Sequence, residues 1–186
     1  DKAFNGQDAI DMIKGKGSLR PIANGLNFES RTDVKTLLSK SPGYSVEGDE
    51  IFYKGQKVAQ TYSKHKFYSK FLESNGIDYS KIISKKLLPD DAIIIFATKE
   101  LFIIEVKFQE TPGSVDEKLQ TCSFKIKQYR KLVEPLGLKV HYAYVLSDWF
   151  QHESYRDALE YVENSGCRYF FGTIPFSYFG LPEPME

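Results

Sequence analysis

Cysteine is scarce in this 186-residue chain, with only Cys122 and Cys167. Two thiols cannot build a disulfide framework, which excludes the small cross-linked secreted scaffolds. No apolar run reaches the roughly 18 residues that a membrane-spanning helix needs, and no signal peptide is recognisable. No membrane partner is expected, and a reducing, soluble compartment follows as the default. Net charge is lacking too, since Lys plus Arg and Asp plus Glu both number 25. Any face for a polyanion must therefore come from uneven distribution. His65, His141 and His152 share no ligand spacing, which argues against a zinc site and against Cys–His nucleophilic chemistry. Gly15-x-Gly17 lacks the strand and helix of a phosphate-binding loop. Only five arginines are present (20, 31, 130, 156 and 168), so bidentate readers of guanine are few, and no helix-turn-helix or zinc finger appears.

What is present is a chain of one-domain size, enough to bury about 70% of its unfolded surface. It opens on Asp1 rather than Met, as a trimmed or excised piece would. Aromatics make up 15%, with 12 Tyr and 14 Phe, mostly suited to core and sheet packing. A short helix is expected at 7–14, broken by Gly15, Gly17, Pro21 and Gly25. Phe28, Val34, Leu37 and Leu38 predict a helix stopped by Ser41-Pro42-Gly43, followed by a strand at 43–46. Residues 51–62 read as a hairpin about Gly55, and 63–74 as a helix ended by Asn75-Gly76. Two apolar strands, 92–96 and 101–107, flank Thr98-Lys99-Glu100 as a hairpin. After a loop at 110–114, Ser114 or Asp116 caps a long helix to about Val133, closed by Pro135 and Gly137. A strand at 139–146, a helix at 151–164 and a strand at 167–171 complete the order. A helical crossover makes the 139–146 strand parallel to the one ending at Lys107. The result is an α/β sandwich.

The chemistry gathers at the central hairpin. With a side-chain period of 2, Glu105 and Lys107 share a face, and the hairpin returns Asp90 and Asp91 beside them. Two carboxylates and an ammonium at one sheet edge suit a divalent cation with a positive group beside an attacking water. Leu101 to Ile104 are apolar on both faces, so the strand is expected to be buried on both sides and the charges at its end need partners. The plainer alternatives are turn residues after Pro89 and a solvent-facing ion pair worth about 0.2–1 kcal/mol. A three-residue turn pairs Asp91 opposite Lys107, whereas a two-residue turn puts Asp90 on that face, so the residues alone leave the choice open.

Pro89-Asp90 … Glu105-Val106-Lys107 resembles the signature of the PD-(D/E)XK nuclease superfamily, the fold of most type II restriction endonucleases. Gly25-Leu26-Asn27-Phe28-Glu29-Ser30 through Val46 resembles the opening helix and first strand of that fold. Residues 115–129 resemble its later helix, and 139–146 its fourth strand. The resemblance spans about 25–147. It implies a restriction-endonuclease-like αβββαβ core, a mixed sheet flanked by helices, with a basic insertion at about 50–86 and a C-terminal helix and strand within 148–186. It further implies a Mg2+ ion held by Asp90, Glu105 and the Val106 carbonyl, with Lys107 orienting and acidifying the water. Magnesium keeps several waters, so two carboxylates suffice. Asp90, the residue after proline, fits the pattern better than Asp91. Glu29 matches a helix glutamate of many members, and Glu29 and Asp91 are further candidate ligands. An acidic residue in a first helical turn is equally explained by the helix dipole.

The implied activity is Mg-dependent DNA endonucleolysis of restriction type, in a bacterial or phage-like cytoplasm. Cutting both strands calls for a homodimer or a partner nuclease subunit. A Holliday-junction resolvase or repair nuclease is the nearest alternative, and a non-catalytic DNA-binding module the next. From 54 to 86, eight lysines stand against Glu73 and Asp78, a local excess of six positive charges. Lys64, Lys66, Lys70, Lys85 and Lys86 are candidate phosphate contacts that would make DNA affinity fall with salt, although a solvated helix face would look the same. Lys118 adds positive charge on the long helix as a further candidate DNA contact, and Gln120, Lys125, Gln128 and Tyr129 resemble helix positions that many relatives direct at the active site or DNA backbone. Specificity, if any, is expected from the insertion, a partner chain or another domain.

Overall fold

The strands run in chain order as β1 (Gly25–Asn27), β2 (Tyr44–Glu47), β3 (Glu50–Tyr53), β4 (Gln56–Tyr62), β5 (Asp91–Ile95), β6 (Glu100–Lys107), β7 (Lys139–Leu146), β8 (Arg168–Phe171) and β9 (Thr173–Pro175). The helices are α1 (Val34–Ser39), α2 (Val115–Lys118), α3 (Cys122–Val133), α4 (Arg156–Asn164) and α5 (Phe176–Phe179). The structure, a computed structural model, describes residues 25–29, 32–109 and 115–186. The helix expected at 7–14 and the Ser114 cap lie outside the described residues.

β2 to β8 form one seven-stranded sheet in sequence order. The first five are antiparallel neighbours, whereas β6–β7 and β7–β8 are parallel. The parallel pairing of β6 and β7, Glu100 with Lys139 through Lys107 with Leu146, is the one required by the helical crossover. β1 and β9 form a separate antiparallel ribbon.

Alternation along the central strands fills two cores. Ala92, Ile94, Leu101, Ile103, Tyr142 and Tyr144 pack with Ile126, Tyr129 and Leu132 of α3 on one face. Ile93, Ile95, Phe102, Ile104 and Val145 pack with Val34 and Leu38 of α1 and with α5 on the other. Both faces of β5 and β6 are thus covered, and buried strands read as near-continuous apolar runs. Both cysteines are buried and free. Among the described residues no helix is long and apolar enough to cross a membrane.

The structure corrects several expectations. The opening helix starts at Val34, not near Phe28, because Gly25–Asn27 is extended against Thr173–Pro175. A Cβ at Gly25 would sit 2.4 Å from Thr173 Cγ2, so the ribbon needs glycine there. The 51–62 hairpin is not part of a peripheral insertion: β3 and β4 complete the sheet, burying Ile51, Ala59 and Thr61. Only 63–90 stands outside the sheet, built from a π-helical turn Phe67–Leu72 and short 3₁₀ turns. The central turn spans four residues, 96–99, since Ile95 already pairs with Glu100. The helix expected at 151–164 is α4 and starts only at Arg156, after 3₁₀ turns at Asp148–Gln151 and Glu153–Tyr155.

Candidate active site

Register decides which carboxylate meets Glu105. Asp91 pairs with Ile104 at the last rung of the β5–β6 ladder. Asp90 stands in a bend one residue before the ladder, within electrostatic reach of Glu105. Glu105 and Lys107 follow Ile103 on the α3 side of the sheet, and Asp91 joins Ile93 and Ile95 on the α1 side. The Val106 amide donates to Asp90 Oδ2 at 2.8 Å. N–H and C=O of one strand residue leave on the same side. The Val106 carbonyl is thus turned toward Asp90 as well, while the next carbonyl, of Lys107, accepts from Ser147 N on the opposite side.

Charges interlock around this point. Lys107 Nζ lies 3.4 Å from Glu105 Oε2. Lys64 Nζ is paired with Asp90 Oδ1. Lys64 is held in a left-handed conformation, φ 51, with its amide donating to the Pro89 carbonyl at 2.8 Å. Burial opposes its charge, but the bond to Asp90 and the charges of Asp90, Glu105 and Asp91 prevail and raise its pKa. Burial also raises the Glu105 carboxyl above the usual range, and Asp90 adds to this against Lys107, Lys125 and Lys64. Lys125, reaching in from α3, is lowered by burial with Glu105 opposing. Tyr129 and Tyr142 form a floor close enough to Glu105 that its charge, after burial, raises both hydroxyls.

A cleft of about 550 Å³ opens beside this cluster, lined by Asp33, Lys64, Asp90, Asp91, Val106 and Phe108 among others. Glu105 and Lys107 are not among its walls; their side chains are only 8% and 17% exposed. Asp91 lines the cleft from the α1 side, buried, with Oδ2 accepting the Val34 amide at 3.2 Å. It serves the start of α1 and faces away from the Glu105 side. The donor set for a cation is then two carboxylates and one carbonyl, all oxygen, which suits a hard ion that keeps several waters. Among the described residues no group of three or more His, Cys, Asp or Glu could hold a metal.

Other expected residues scatter. Glu29 is exposed in irregular chain ahead of α1, not on a helix. The acid at the start of α1 is Asp33, which caps it by accepting from Thr36 N at 2.6 Å. An N-cap residue directly before the first apolar helical position is a recognisable signal, and it marks Asp33. Lys66, Lys85, Lys118 and Gln120 are exposed. Lys70 lies 3.6 Å from Asp49, and Lys86 sits 4.7 Å from the Tyr79 ring centroid. Gln128 and Tyr129 are buried, which corrects the expectation that they present themselves to DNA. Tyr129 follows Cys122 and Ile126 on the apolar stripe of α3 and packs on Phe67. Phe108, in the cleft wall, carries no signal at the sequence level beyond following Lys107.

Compared with known proteins, the chain matches no family model, no curated protein and no solved structure.

Proposed function

We propose that the chain is a magnesium-dependent DNA endonuclease of the PD-(D/E)XK type, acting in restriction fashion on duplex DNA. One observation carries the reading: Asp90, whose Oδ2 accepts the Val106 amide, lies within electrostatic reach of Glu105, which is itself paired with Lys107. The mixed sheet, with α1 and α3 on opposite faces, is compatible with the αβββαβ core of that superfamily. Lys66, Lys85 and Lys118 are exposed and are available to phosphates.

Asp90, Glu105 and the Val106 carbonyl would hold the ion. A bound magnesium supplies charge neutralisation on the phosphoryl oxygens and acidifies coordinated water. Lys107 holds the attacking water beside the carboxylates and offsets their mutual repulsion. Water attacks phosphorus and gives up a proton to solvent, the bond to the 3′ oxygen breaks with that oxygen taking a proton from solvent, and Lys64, lifted from Asp90, is free to meet a phosphate oxygen. Cleavage of both strands requires two such sites, from a second copy or a partner subunit.

The test is supercoiled plasmid with Mg2+ and with EDTA, using wild type and Lys107→Ala. Metal-dependent cutting that falls about 10²–10⁴-fold in the variant is expected. Equal, metal-independent background from both overturns the proposal. Discrete fragments mark restriction-type cutting; action confined to four-way junctions marks a resolvase.

A further inference from the structure

The sheet has a second cavity on the same rim. β6, β7 and β8 are parallel, and ligands of such sheets collect outside the carboxyl ends of the strands. Phe108 follows β6, Ser147, Asp148 and Trp149 follow β7, and Gly172 follows β8. With Phe28 they line a cavity of about 500 Å³. That volume lies in the range of small-ligand sites. Phe108 is a wall of both this cavity and the Asp90 cleft.

The walls are held firmly. Ser147 Oγ donates to the Gln109 carbonyl at 2.8 Å and accepts the Gln109 amide at 3.0 Å, which ties the loop after β6 to the loop after β7. Trp149 Nε1 donates to Tyr155 Oη at 2.7 Å, fixing the indole. Phe28 is buried, Phe108 and Trp149 are half-buried, and Asp148 is exposed at the edge. No Lys or Arg is among the described residues lining the cavity, and Asp148 would repel an anion. Asp148 disfavours phosphate at that edge. The cavity suits a flat, neutral, aromatic group with N–H donors at its edge.

Resting on the nuclease reading, we propose that this cavity takes one nucleobase of the strand being cut. The base stacks against Phe108 and Trp149 while Asp148 accepts from its amino edge. Its phosphate lies toward the Asp90 cleft on the far side of Phe108. Aromatic stacking holds bases without demanding a sequence, and a carboxylate acceptor favours amino-bearing bases such as cytosine over thymine.

Trp149 is the sole tryptophan, so its emission reports on this cavity alone. The full chain in EDTA is titrated with a 12-nucleotide single strand, its duplex, and an abasic strand of equal length, with binding followed in parallel by anisotropy of labelled strand. Saturable quenching by base-bearing strands and none by the abasic strand is expected. Quenching by the single strand alone assigns an unpaired end, and quenching by both strand forms assigns a base drawn from the duplex; either supports the site. Phe108→Ala is expected to weaken the quenching transition roughly 5- to 150-fold. Asp148→Asn, at an exposed position that leaves the fold intact, is expected to reduce the preference for oligo-dC over oligo-dT. Binding without a change in emission, or equal quenching by the abasic strand, overturns the proposal. Plasmid cleavage separates the two readings: cleavage without quenching removes the pocket alone, and quenching without cleavage removes the nuclease while sustaining the pocket.

Discussion

Lys64→Met should tighten divalent-cation binding, because the Lys64 ammonium sits on a carboxylate that the proposed ion needs. A cation entering between Asp90 and Glu105 must first lift Lys64 from Asp90. The Lys64 side chain is 53% exposed and that of Asp90 26%, so solvent screens much of their attraction. An ion pair in that setting holds at about 0.5–1 kcal/mol. Removing it lowers Kd about 2- to 5-fold. The effect on stability has the opposite sign without metal. In EDTA the variant leaves Asp90 beside Glu105 with one cation fewer, so its Tm should fall. With Mg2+ at about 100 times Kd, binding adds about 2.7 kcal/mol, or about 5–11 °C for a chain of this size. The gap between variant and wild type should then close or reverse. Calorimetric titration with Mg2+ and Mn2+ reads the first effect, and thermal melts with and without metal read the second. Wild type that binds the ion while Lys64→Met binds it equally or more weakly refutes the competition. Glu105→Gln binding as tightly as wild type refutes the two-carboxylate site itself.

The order of elements over 34–62 and 91–171, the central hairpin and the parallel β6–β7 pairing are legible in the sequence, because apolar runs, turn residues and the crossover length each leave a local mark. The choice between Asp90 and Asp91 is not. It turns on how many residues the central turn spends. Lys99 at φ 54 lets 96–99 close the hairpin, and neither a two-residue nor a three-residue turn forms. The position after proline points to Asp90 only through the resemblance; in the structure the ladder ends at Asp91, on the α1 side, with Asp90 one residue before it. One residue more or fewer would exchange the two faces.

Helix phase hides the α3 residues in the same way. Lys125 and Tyr129 are four apart and lie near Glu105, yet Tyr129 is in the core and Lys125 at its edge. Composition cannot rank them, since a tyrosine suits both a core and a DNA face. The 50–62 hairpin carries lysines, which suggests an appendage, but Ile51, Ala59 and Thr61 at the buried positions place it in the sheet. Long-range pairing of Gly25–Asn27 with Thr173–Pro175 leaves no local trace, and it is what displaces Glu29 from the helix.

Gly43→Ala should cost about 1–3 kcal/mol and lower Tm by about 2–12 °C, because φ is +89 and a Cβ would meet the Tyr53 ring at 2.7 Å; an unchanged melt would refute the packing there. Asp91→Asn tests the buried carboxylate on the α1 side. Burial first, then Asp33 and Asp90, push the Asp91 carboxyl well above its usual range, against the Val34 amide and Lys64. The folded chain therefore holds this proton more tightly than the unfolded chain. Its contribution is favourable below the ordinary carboxylate value near 4 and is lost as pH rises toward the raised value. Asparagine keeps an acceptor for Val34 and carries no charge, so that loss disappears. The stability of Asp91→Asn minus that of wild type, from urea midpoints at pH 4, 6 and 8 in EDTA, should grow with pH. Asp91→Ala, which strands the Val34 amide, should lose about 1–3 kcal/mol relative to Asp91→Asn throughout. A difference between Asp91→Asn and wild type that stays flat or shrinks with pH would mean that Asp91 is charged and well solvated in the folded chain, and the burial argument for its role at the start of α1 would fail.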